Sequence, residues 1–85
     1  MYEQPGAVAL VDLACTLVQA YLRLHPKAAD TTAGIALWWL GDAGPGLPGP
    51  VLDAALQRLA DRGVLTSSVL PGGKRLWFAP LGDTH

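Results

Sequence analysis

Between residues 51 and 65 the apolar positions Leu52, Ala55, Leu56 and Leu59 recur at spacings of three and four, with Asp53, Ala54, Gln57, Arg58 and Asp61 on the other side. That is the period of a helix with one buried stripe, and Gly63 marks its end because glycine takes the left-handed conformation that closes a helix. Val64 is then free to pack back on the last turn. Two short runs follow, 65–70 and 75–79, on either side of Pro71-Gly72-Gly73-Lys74. The turn chemistry between them predicts a β-hairpin.

Earlier in the chain, residues 7–24 are good helix formers, and His25-Pro26 ends the segment because a residue before proline is pushed out of the helical region. Projected on a helix, Asp12, Thr16, Gln19 and Arg23 collapse into one narrow stripe, which leaves an apolar arc about 220° wide, far more than one side of a core needs. Two seams run inside that arc. One is Leu10, Ala14, Leu17, Tyr21 and Leu24; the other is Val8, Val11, Cys15, Val18 and Leu22, each with the average spacing of a helix-packing seam. Either the helix is central and its own domain covers both seams, or one seam meets a second chain across a two-fold axis. The seam of Val8, Val11, Cys15, Val18 and Leu22 is the expected outer one, because its residues are smaller and lie beside the polar stripe.

After the Lys27-Ala28-Ala29 link, Asp30 stands where an N-cap belongs, ahead of a helix from Thr31 to about Leu40. Successive helical residues diverge by about 100°, so Trp38 and Trp39 cannot face the same way. One belongs to the core and the other to an edge or an interface. Residues 41–50 hold so many glycines and prolines that no regular structure is expected there, and Pro50 suits the first turn of the next helix.

Composition narrows the function. Hydrophobic residues make up 51% of the 85 and charged residues 15%, which leaves little polar surface and implies that a partner covers some apolar area. Six Lys and Arg stand against seven Asp and Glu, so no net field draws the molecule to nucleic acid or an acidic membrane. One domain spanning 1–85 is expected, with 1–6 and 81–85 as flexible ends. The early apolar run lacks a basic leader and is broken by Asp12, so neither a signal peptide nor a membrane span is expected, and a cytoplasmic location follows as the default.

Helix, link, helix, turn, helix and hairpin come in the order of a winged helix-turn-helix domain, and residues 7–80 resemble that family. The most similar portion is 52–65 followed by Thr66-Ser67-Ser68-Val69-Leu70-Pro71-Gly72-Gly73-Lys74-Arg75-Leu76-Trp77-Phe78. The resemblance implies a mainly α domain with a C-terminal β-hairpin, an α+β fold of order α1-α2-α3-β-β. In DNA-binding members the third helix enters the major groove and the wing touches the backbone. Here that helix offers Gln57 and Arg58 among acids, and the wing offers Lys74 and Arg75. This is too little positive charge to replace counterions along a duplex.

Chemistry is equally thin. Cys15 lies mid-helix on an apolar face, where a thiol is shielded; a lone cysteine also forms no internal disulfide. His25 sits at a helix end, where it caps carbonyls, and His85 is terminal. No metal-ligand spacing and no phosphate-loop pattern occurs, so neither catalytic residues, a metal nor a cofactor is expected. The reading is a non-catalytic interaction module, homodimeric through helix 1 or bound to another protein, with Trp38 or Trp39 as a second apolar contact. The alternative is a DNA-binding transcriptional regulator that uses Gln57, Arg58, Lys74 and Arg75.

Overall fold

Helix α1 occupies Gly6–Leu24 and ends where the His25-Pro26 pair requires. A computed structural model of the chain describes residues 6–80; of the expected flexible ends 1–6 and 81–85, residues 1–5 and 81–85 lie outside it and Gly6 instead begins α1, and the side chains of residues 6–8, 43 and 45 also lie outside it. After α1 come strand β1 (Ala29–Thr31) and the short helix α2 (Thr32–Gly34), which runs on as a π-helical segment, Ile35–Trp39. A 3-10 turn (Gly41–Gly46) leads to helix α3 (Gly49–Asp61) and then to strands β2 (Thr66–Val69) and β3 (Arg75–Phe78). The fold is α+β, with helices and one antiparallel sheet of order β1-β3-β2. This layout is compatible with a winged-helix-like arrangement.

Strand β1 corrects the expected order, because the link after α1 is part of the sheet. Ala29, Asp30 and Thr31 pair with Phe78, Trp77 and Leu76 of β3. Three residues are too few to display a two-residue period, so only the distant partner reveals the strand. The start of α2 shifts with it. Thr31, not Asp30, is the N-cap, its Oγ1 accepting from the Gly34 N–H at 3.2 Å, while Asp30 Oδ1 accepts from the Thr31 N–H at 2.8 Å.

Residues 41–46 are regular after all. A 3-10 turn bonds each residue only three positions on, which tolerates a chain interrupted by glycine and proline better than an α-helix does. Gly44 is buried, and a Cβ added there would overlap the carbonyl oxygen of Ala36. The turn therefore folds tightly against the π-helical segment.

The end of α3 follows its sequence signal closely. Gly63 has φ +79°, its N–H donates to the Ala60 carbonyl at 3.0 Å, and the Val64 N–H donates to the Leu59 carbonyl at 2.9 Å. These two bonds form a Schellman closure. Leu52, Ala55, Leu56 and Leu59 all face the core, where they meet Val18 of α1, Ile35, Trp39, Leu65 and Trp77. The indole Nε1–H of Trp77 donates to Thr32 Oγ1 at 3.0 Å and ties β3 to the start of α2.

Candidate interaction surfaces

Helix α1 does carry two apolar faces, but the seam expected to be outer is an inner one, and the other seam is partly covered as well, with Ala14 buried and Leu17 and Tyr21 packed against the core. Val11, Cys15, Val18 and Leu22 are buried by their own chain and cannot form the outer seam; the Val8 side chain lies outside the described residues. The reason is the size of these residues. Small side chains let α1 and α3 approach until the Cys15 thiol donates to the Ala55 carbonyl oxygen at 3.6 Å. Asp12, beside the same seam, forms an ion pair with Arg58 of α3. The polar stripe thus marks the border of the inner contact, not of an outer one.

What remains outside is a row of leucines. Leu10 and Leu17 are half-buried, Leu13 is 43% exposed and Leu24 78% exposed. They follow one another at spacings of three, four and seven residues, which keeps them on one side of the helix. Tyr21, close to that row, stacks on Trp39 with ring centroids 4.9 Å apart and planes 12° from parallel. The π-helical segment therefore lies alongside the leucine row. It presents Leu37 and Trp38, 61% and 70% exposed, while Trp39 is buried. Trp39 is thus a core residue and Trp38 the outward one of the pair. Among these residues, Leu10, Leu13, Leu17, Leu24 and Leu37 are ones the sequence reading did not single out as surface. The available signal was the small size of Val11, Ala14, Cys15 and Val18, which suits close approach to Ala55 of α3 and leaves Leu13 and Leu24 outside.

On α3, Asp53, Ala54, Gln57 and Asp61 are exposed, as their spacing requires. Gln57 donates to Asp61 Oδ1 at 3.1 Å, and the Arg58 guanidinium is engaged by Asp12. This face consequently presents two acids and no unengaged base within 53–61. The hairpin differs. Lys74 is exposed at the turn, whereas Arg75 donates to Ser67 Oγ at 3.0 Å and lies 5.8 Å from the centroid of the Trp77 ring system. Together with Thr31, Thr32 and Ala33 these two cations line a shallow hollow of about 270 Å³.

The remaining candidates for chemistry stand apart from one another. Cys15 is buried, and the His25 ring packs against Tyr21 with centroids 4.4 Å apart at the end of α1. Among the described residues no group of three or more His, Cys, Asp or Glu is placed to hold a metal ion. No described helix is long and apolar enough to cross a membrane. Compared with known protein families, curated proteins and solved structures, the chain matches none of them.

Proposed function

We propose that the chain is a non-catalytic interaction module of winged-helix type that pairs with a second copy of itself through the leucine row of α1. The order α1-β1-α2-α3-β2-β3 and the sheet order β1-β3-β2 support the winged-helix assignment. The observation that carries the pairing is that α1 has already filled its inner face with Val11, Cys15, Val18 and Leu22 and still presents Leu10, Leu13, Leu17 and Leu24. No charged residue interrupts that row, so it fits an equally uncharged partner surface, and a two-fold axis brings the same surface to itself. A helix alone is a small interface, and the exposed Leu37 and Trp38 offer a further apolar contact.

Sedimentation velocity across a concentration series tests the pairing. A dimer that Leu13→Asp converts to a folded monomer supports it; a wild-type chain that stays monomeric at high micromolar concentration overturns it. The second reading, a DNA-binding regulator, draws on Lys74 and Arg75 beside Thr31 and Thr32. Fluorescence anisotropy with a random duplex at low salt separates the two. A regulator binds with a steep salt dependence that Lys74→Ala plus Arg75→Ala flattens, whereas the interaction module shows neither effect.

A further inference from the structure

The sheet has a face that neither the helices nor the leucine row uses. Trp77 turns its indole inward to Thr32, so by the alternation of a strand Leu76 and Phe78 project from the opposite side. Register places Ser68 and Thr31 beside Leu76, and Thr66 and Ala29 beside Phe78. The chain between α1 and β1 forms a wall along this face. Pro26, Lys27, Ala28 and Ala29 on that side, with Ser68, Leu76, Phe78 and Ala79 on the other, line an open hollow of about 670 Å³. That volume lies within the range of small-molecule sites, as does an apolar floor carrying a few polar groups.

The polar groups are specific. Among the described residues Lys27 is the one charged side chain in the lining and none of the lining residues is an acid; Ser68 pairs with Leu76 in the sheet. An apolar floor with a single cation at its rim complements a molecule that has an apolar body and one negative end. We propose that this hollow binds a free, water-dissolved amphipathic carboxylate: its carboxylate accepts from the Lys27 ammonium, and its hydrocarbon runs over Phe78 and Leu76 toward Ser68 on the far side. The surface contains no residue of α1, so it stands independently of the pairing proposed above.

The test titrates the intact protein with octanoate and, separately, with octan-1-ol, followed by amide chemical shifts. Octanoate is expected to move the signals of residues 27–29, 68 and 76–79 and to bind more tightly than the alcohol. Lys27→Gln, at an exposed position that does not threaten folding, weakens octanoate by about 3- to 10-fold and leaves the alcohol unchanged. Ser68→Tyr puts a good strand former on an exposed strand site and fills the hollow, so both ligands lose binding. Equal affinity for acid and alcohol in the wild type, shifts that map to residues 10–24 instead, or octanoate binding that survives Ser68→Tyr would each overturn the assignment.

Discussion

Arg58 is the residue whose surroundings change its meaning most. On sequence it is a cation on the exposed side of a third helix, available to a base edge or a phosphate. In the fold it reaches back to Asp12, a residue 46 positions away, and joins α3 to α1. Both side chains remain substantially solvent-exposed, so solvent screens the pair, and it is worth at most about 1 kcal/mol. A double-mutant cycle of Asp12→Ala and Arg58→Ala, followed by chemical denaturation, is expected to return a coupling of about 0.2–1 kcal/mol. The pair borders the α1–α3 contact, while burial of Val11, Cys15, Val18 and Leu22 decides which side of α1 meets α3. Trp77 shows the larger effect, because its buried indole, with its N–H satisfied by Thr32, sets which face of the sheet is covered and which is left for Leu76 and Phe78.

At the scale of elements, the segment between α2 and α3 is the most constrained part of the chain. The π-helical turn puts Ile35 and Trp39, four residues apart, both into the core and leaves Leu37 and Trp38 outside. The 3-10 turn closes onto it through Gly44, whose hydrogen atoms leave just enough room for the Ala36 carbonyl. Gly44→Ala must therefore displace backbone, not a flexible side chain. Its expected cost in thermal or urea unfolding is about 1–3 kcal/mol, the usual range for a group forced into a filled space. Gly63 is constrained differently. Its neighbourhood is open, but its φ of +79° is one that side chains with a Cβ rarely adopt, so Gly63→Ala is expected to cost about 1–2 kcal/mol through strain alone. Comparing the two variants by hydrogen exchange separates them, since the first loosens residues 36–47 and the second the end of α3.

For the molecule as a whole, the question is where so apolar a chain puts its surface. Half of its residues are hydrophobic, and a single small core does not enclose them all. The surplus collects on the leucine row of α1, on Leu37 and Trp38, and on the outer face of the sheet. If two copies cover the leucine row, unfolding is coupled to dissociation, and the melting temperature rises with protein concentration. That rise is expected to vanish in Leu13→Asp, which keeps its helical circular dichroism. Val18→Asp provides the contrast, because a carboxylate in a fully buried site costs several kcal/mol and unfolds the chain at any concentration. A melting temperature independent of concentration in the wild type would leave the row without a second copy.

The sequence alone determined the elements whose signals are local. The stripe of α3, its Gly63 closure, the hairpin turn and the stop of α1 at His25-Pro26 depend on residues a few positions apart, and each lies close to where its spacing and caps put it. It also established that α1 is apolar on two sides and that only one of Trp38 and Trp39 fits inside. Tertiary structure alone decided which side and which tryptophan. It set the valine and cysteine seam against Ala55, where small residues allow close approach, and it turned the leucines out. It also made a strand of three residues that no local pattern marks, by supplying β3 as their partner. Period and capping are properties of neighbours along the chain, whereas the choice between two equally apolar faces depends on what packs against them.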